Sequence, residues 1–437
     1  MVQITDKIEI PKKRANLIKK NVTDIPEFKK EIEKNLKKEV TELIEVILGG
    51  GIYLSASDIH LEPQEKEVKV RIRLDGMLHD VLFFSQETYR FLLSRIKLLA
   101  GLKLNIHDKP QDGSFGVVLP LKGKEGQAIE IRTSALPADF GESVVMRILN
   151  PETLRDIEQL GLRKDLLGLF KQEIKEPNGM IIITGPTGSG KTTTLYGFLK
   201  YLQKPEIKII TIEDPIEYRL ENISQTEVDA KKGYDFANGL RSIVRQDPDV
   251  ILVGEVRDKE TAEISLQAAL TGHLVFSTLH TNDAAGAIPR LTSLGANPIN
   301  IGPAINMVVA QRLVRKVCKK CSGLSPASAE EMKKIKEMLK DVPASILPPS
   351  ALQGEINVPK TKGCKACNFT GYQGRVGIFE AFAITDEIET LILEKPAISK
   401  IKKIVAKDGM LTMYQDGLIK ALQGITTIEE IDRVTSE

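Results

Sequence analysis

Apolar positions follow two rhythms along this chain, and the changes of rhythm mark its organisation. Between Glu27 and Leu48, Phe28, Ile32, Leu36, Val40, Leu43 and Ile47 recur at helical spacing in a Lys/Glu-rich background. That spacing predicts an amphipathic helix packed on its own protein. The run Gly49-Gly50-Gly51 predicts its interruption. Residues 1–51 therefore read as an N-terminal arm, mobile or helical. From 52 to 150 short β-type runs dominate: Lys69–Leu74 alternates strictly, Ala128–Thr133 and Ser143–Leu149 follow, and Phe91–Ala100 is helical. This stretch reads as a compact α/β domain. Residues 151–175 read as a polar helical linker.

From 176 to 315 strands alternate with helices, the pattern of a parallel nucleotide-binding sheet. The predicted strands are Met180–Thr184, Lys208–Ile212, Val250–Val253 and Leu274–Thr278. Residues 316–375 carry two cysteine pairs around a polar insert, Ser325–Val358, and 376–437 read as helical. No fixed-period repeat or low-complexity tract is present.

The chain's 437 residues suffice for two or three domains. A net charge of +2 gives no global bias toward nucleic acid, and the absence of Trp argues against base stacking. No apolar run approaches the ~20 residues that span a bilayer. Met1 to Arg14 lacks the apolar core of a signal peptide. The expected location is the cytoplasm, without direct membrane insertion.

The most specific chemical signal is Gly185-Pro186-Thr187-Gly188-Ser189-Gly190-Lys191-Thr192, with Thr193 beside it. It fits the G-x-x-x-x-G-K-[ST] phosphate loop, between a predicted strand and a predicted helix. Glycines let backbone N–H groups turn onto phosphates, and the helix start adds its positive end. Lys191 is placed to reach the terminal phosphates of ATP, and the Thr192 hydroxyl to ligate Mg2+. Three further segments close predicted strands. Thr211-Ile212-Glu213-Asp214-Pro215-Ile216-Glu217 is acid-rich, and Glu213 and Glu217 are candidates to support metal and water. Asp249 to Glu255 fits the second nucleotide-binding strand, with Gly254 where a magnesium-linked Asp is usual, leaving Glu255 as the candidate to activate water. Thr278-Leu279-His280-Thr281-Asn282 offers His280 as a γ-phosphate sensor; His273, before the same strand, is the weaker histidine. All four cysteines fall in Cys318-Lys-Lys-Cys321 and Cys364-Lys-Ala-Cys367, the spacing of a four-thiolate Zn2+ site. Disulfides are the rival reading.

Taken in this order, the four nucleotide segments resemble the secretion ATPases of type II secretion and type IV pilus assembly. Further matches are Ala56-Ser57-Asp58-Ile59-His60-Leu61-Glu62-Pro63, Arg71-Ile72-Arg73-Leu74-Asp75-Gly76, Pro110-Gln111-Asp112-Gly113, Val309-Ala310-Gln311-Arg312-Leu313 and Gly424-Ile425-Thr426-Thr427. The resemblance spans roughly residues 50 to 437. It implies a RecA-like motor domain preceded by a small α/β, PAS-like domain, with a zinc-binding insertion and a helical C-terminus. It also implies a homohexamer on the cytoplasmic side of the inner membrane, acting on an inner-membrane platform protein, with no nucleic-acid partner. Arginines of the second N-terminal domain close over the γ-phosphate in that family, and Arg132 and Arg147 lie in the matching segments, with Arg95 a weaker candidate. Alternatives are a pilus-retraction motor, whose family branch lacks the cysteine quartet, a DNA-translocating ATPase and a nucleotide-gated binding protein.

Overall fold

A computed structural model describes residues 6–120, 128–151, 154–349 and 354–436. The chain divides into two units, one of residues 1–153 with 318–321 and 362–373, the other of 154–317, 322–361 and 374–437.

The first unit is built on a seven-stranded sheet in the order Lys7–Glu9, Gln111–Val118, Ala128–Ala138, Gly141–Leu149, Asp58–Pro63, Glu67–Leu74, Met77–Ser85. Strict alternation along Glu67–Leu74 buries Val68, Val70, Ile72 and Leu74 on one face, as a half-buried strand requires. Helices Lys12–Asn21, Ile25–Asn35, Val40–Tyr53 and Gln86–Leu99 contribute to the same core.

The N-terminal residues differ from expectation in two ways. The helix predicted from Glu27 to Leu48 is two helices, parted at 36–39, and Gly49, Gly50 and Gly51 lie inside the second rather than interrupting it. The reason is close packing: a Cβ on Gly50 would sit 2.2 Å from Phe28 Cε2, and one on Gly51 2.7 Å from Ile59 Cδ1. Here glycine serves approach, not chain reversal. Of the two readings of the arm, mobile or helical, the helical one describes residues 7–53, a strand and three helices whose apolar residues join the core.

The second unit holds the predicted alternating α/β pattern. Its sheet runs Ser224–Glu227, Ile209–Glu213, Val250–Val253, Leu274–Leu279, Gly179–Thr184, Ile305–Val317, Tyr372–Ala383. The first six strands pair in parallel. Strands such as Gly179–Thr184 and Leu274–Leu279 are buried at every residue, because both faces of the sheet are covered.

Two segments change their reading. The stretch expected to be a polar helical linker is helical at Lys164–Glu173 but packed, with Phe170 fully buried edge-on against Phe198 and Phe379. The expected helical C-terminus begins with the end of strand Tyr372–Ala383, which completes the sheet, before four helices. The region 316–375 is also not one module. Cys318–Cys321 and 362–373 group with the first unit. The insert between them, with antiparallel strands Ser322–Pro326 and Asn357–Thr361 and helix Ala329–Leu339, groups with the second.

Candidate nucleotide site and cysteine cluster

Parallel pairing brings the C-terminal ends of four strands to one edge, where open α/β sheets place their ligands. In sheet order these ends carry Glu213, Glu255, His280 and the phosphate loop. The loop follows strand Gly179–Thr184 and turns at Gly185, Gly188 and Gly190, with φ of 146°, 80° and 89°. Gly190 caps helix Lys191–Leu202, so the helix opens on the loop's own amides. Lys191 Nζ donates to the carbonyls of Gly185 at 2.8 Å and Pro186 at 3.2 Å. Burial lowers the Lys191 pKa, while Glu255 and Glu217 act in the opposite direction. Ser189 Oγ is buried without a hydrogen-bond partner, an open polar valence inside a loop of this class.

Glu255 lies two residues past the end of strand Val250–Val253, its side chain 15% exposed. It pairs with Arg257, and its Oε2 lies 3.6 Å from His280 Nε2. The hydrogen bond from Arg257 to Glu255 raises the Arg257 pKa. Burial lowers the His280 pKa, with Lys191 pushing the same way. At Gly254, a Cβ would lie 3.3 Å from the Glu213 Cα and the Ile212 carbonyl. A side chain there would press on the neighbouring strand.

The acid-rich segment splits in two. Glu213 is buried and accepts from Tyr196, from Thr211 Oγ1 at 2.6 Å and from Gln225 Nε2 at 3.2 Å. Burial raises its pKa against those three donors. Glu217 is half-buried and within electrostatic reach of Lys191. His273 sits at the opposite end of its strand, with Nδ1 3.0 Å from the Ala268 carbonyl, and does not join this edge.

In the first unit Arg132 and Arg147 are direct cross-strand partners, Asp58 stands opposite Arg147, and Arg73 opposite Asp58. Direct partners share a face, so the three arginines and Asp58 form one row across four strands. Arg147 Nε lies 3.0 Å and Arg73 Nε 3.4 Å from Asp58, and Arg132 Nε lies 3.2 Å from Glu130. Arg95 is on helix Gln86–Leu99, outside this row.

The four cysteine sulfurs all lie within 4.8 Å of one another. Cys318–Cys364, Cys321–Cys367 and Cys364–Cys367 are 3.9, 3.8 and 3.8 Å apart. These lengths exclude S–S bonds, which are ~2.05 Å. They fit a tetrahedral zinc, whose 2.3 Å Zn–S bonds set sulfurs about 3.8 Å apart. Backbone amides of Cys364 and Gly371 donate to Cys367 Sγ at 3.2 and 3.3 Å, the second layer such thiolates need. The turn continues through Asn368, whose Oδ1 accepts from the Ile25 amide at 2.8 Å, at the start of helix Ile25–Asn35.

Residues 33–433 match the model of a family described as "Type II/IV secretion system protein". The chain belongs to this family. It is 45% identical over 399 residues to the type II secretion system protein E of Xanthomonas campestris pv. campestris, covering 91% of this chain and 68% of that protein. It is 42% identical over 378 residues to the type IV pilus assembly ATPase PilB of Thermus thermophilus, covering 86% of this chain and 41% of that protein. The X-ray structure of the Legionella pneumophila ATPase DotB shares the fold at a TM-score of 0.63 and 21% identity, covering 90% of this chain and 95% of that one. The phosphate-loop fold of this chain is that of the family's ATPases.

Several residues at the edge of this secretion-family fold escaped the sequence reading. Gln311 Oε1 accepts from Thr194 at 2.8 Å and supports the helix that opens on the loop. The signal was present: a Gln directly after the apolar run Met307–Ala310. Thr184 Oγ1 accepts from the Thr281 amide at 2.7 Å, joining the phosphate-loop strand to the histidine loop. Tyr196, with helical apolar spacing, gave no warning of its bond to Glu213. Arg257 stands two residues from its partner Glu255, and Arg73 meets Asp58 only through the pairing of neighbouring strands. No described helix is long and apolar enough to cross a membrane.

Proposed function

We propose that this chain is a Mg2+-dependent ATPase that works as a hexameric motor, powering assembly of a type IV pilus or a type II secretion pseudopilus. It would act from the cytoplasmic side on an inner-membrane platform protein. The observation that carries this reading is the strand-end row in which Lys191, His280 and Glu255 are neighbours, with Glu255 3.6 Å from His280. In this reading the second unit is a RecA-like motor and the first a PAS-like regulator of it.

ATP is the substrate. The amides from Gly185 to Thr193 take its phosphates, and Lys191 exchanges the loop carbonyls it now holds for phosphate oxygens. Thr192 would hold the Mg2+, which would supply charge neutralisation at the transferring phosphoryl group. Glu255 orients the attacking water, and Glu217 adds negative charge beside metal and water. Glu213, saturated by three donors, acts on them by fixing Tyr196 and its own strand end. His280 reads the γ-phosphate. Arg132 and Arg147 supply positive charge to it when the first unit closes. The cysteine quartet would hold a Zn2+, and four thiolate ligands would make its role structural.

Replacing Lys191 tests the centre of this reading. Lys191→Ala should abolish ATP hydrolysis with an unchanged circular dichroism spectrum, since the hydrogen bonds of its Nζ are to the Gly185 and Pro186 carbonyls of its own loop. Turnover at the wild-type rate in that variant would remove the reading.

A further inference from the structure

A buried carboxylate outside the four nucleotide segments joins two elements that sequence separates widely. Glu380, on strand Tyr372–Ala383, is 5% exposed. Its Oε1 accepts from the Ala284 amide at 2.8 Å, and its Oε2 from the Met413 amide at 3.1 Å. A charge this deep is tolerated only when its oxygens are satisfied. Both donors are backbone groups from other elements, so the carboxylate is a strut between them. Burial raises its pKa, and these two amides oppose the rise.

The first donor ends the histidine loop. Four residues before Ala284 stands His280, and each side of the loop between them is pinned. Thr281 donates its amide to Thr184 Oγ1 at 2.7 Å, at the end of the phosphate-loop strand, and its hydroxyl to the Asp283 carbonyl at 2.8 Å. Asp283 accepts from the Gly286 amide at 2.8 Å and pairs with Lys402 at 2.6 Å. The second donor, Met413, begins helix Met413–Leu422, whose first amides lack intrahelical partners and whose positive end favours a carboxylate. That helix is fixed to the same strand one residue earlier, where Phe379 donates its amide to Asp416 Oδ2 at 2.8 Å. The scaffold behind Glu380 is therefore stiff, and the loop in front of it is short.

We infer that Glu380 is a positioning residue for ATP hydrolysis, holding the loop Thr281–Ala284 against the C-terminal helices so that His280 stays beside Glu255 and the phosphate loop. This rests on the proposed role of His280. A carboxylate is required because both partners donate; a Gln amide would turn its NH2 toward one N–H and leave that amide without an acceptor.

The test is Glu380→Gln in the full chain, with Glu380→Asp as the alternative should the first not fold. Amide hydrogen exchange should speed up in peptides covering 281–286, while strand Leu274–Leu279 keeps its protection. The turnover number should fall about 10-fold, with the ATP KM within about 2-fold. In combination with His280→Ala, the variant should add nothing to the loss from His280→Ala alone, because both act on one device. Unchanged exchange in 281–286 overturns the inference whatever the rate does. Faster exchange with an unchanged turnover number, or losses that multiply in the double variant, overturns it as well. If His280→Ala alone turns over at the wild-type rate, the role of His280 fails and this inference with it, while the exchange data still show whether Glu380 holds the loop.

Discussion

Glu255 Oε2 lies 3.6 Å from His280 Nε2, although 25 positions separate the two residues. Adjacent parallel strands, Val250–Val253 and Leu274–Leu279, end side by side and deliver both groups to one place. The distance exceeds a direct hydrogen bond, so Glu255 Oε2 can take a new partner while Oε1 pairs with Arg257. Glu255→Gln should therefore bind ATP with near-native affinity and hydrolyse it at least ~100-fold more slowly, a loss of the size expected for a group acting on the nucleophile. Nucleotide-binding titration and steady-state turnover on one preparation check this. Parallel loss of binding and turnover would make Glu255 a metal-holding residue instead.

His280 should be neutral at pH 7. Protonation places a cation near Lys191 and Arg257 in a partly desolvated setting, so the proton binds only below the ordinary 6.5. An NMR titration of the imidazole should give a midpoint under that value. Lys191→Ala removes a positive neighbour and should raise the midpoint. Glu255→Gln removes a negative one and should lower it. Shifts of the opposite sign would mean that His280 does not face these groups.

The cysteine quartet should bind one Zn2+ per chain. Structural zinc contributes ~10–16 kcal/mol in small peptide sites, so its removal should loosen whatever rests on the turn. The Asn368–Ile25 bond directs that effect to helix Ile25–Asn35. Chelation, or Cys364→Ser, should speed amide exchange at the start of that helix and leave nucleotide affinity within about 2-fold. Elemental analysis of protein purified without added zinc gives the stoichiometry. Less than ~0.2 equivalents would set the zinc assignment aside.

Gly50→Ala should destabilise the first unit. Alanine gains up to about 1 kcal/mol of helix propensity over glycine. Its Cβ, however, would meet the fully buried Phe28 ring at 2.2 Å, and overpacking of this kind costs about 1–3 kcal/mol. The overpacking term wins, so the melting temperature should fall. A Phe28→Leu change in the same chain should recover part of the loss.

The sequence alone determined the elements whose signals are local. The apolar run Met180–Ile183, between Gly179 and Gly185, reads as a strand, and the glycine-rich turn before Lys191 marks where backbone amides turn inward. The order of chemical segments and the cysteine spacing were equally legible, because each is a short-range pattern. Tertiary structure decided what those signals do to one another. Gly49–Gly51 looks like a helix breaker until Phe28 and Ile59 are seen against it. Residues 164–173 look like a polar linker until Phe170 meets Phe198 and Phe379. The cysteine pairs look like one module with the insert between them, yet they group apart from it. Glu380, set in the apolar stretch Val376–Ala383, meets its partners Ala284 and Met413 across 96 and 33 residues. Burial and long-range hydrogen bonding depend on which surfaces the chain brings together, and no local pattern encodes that choice.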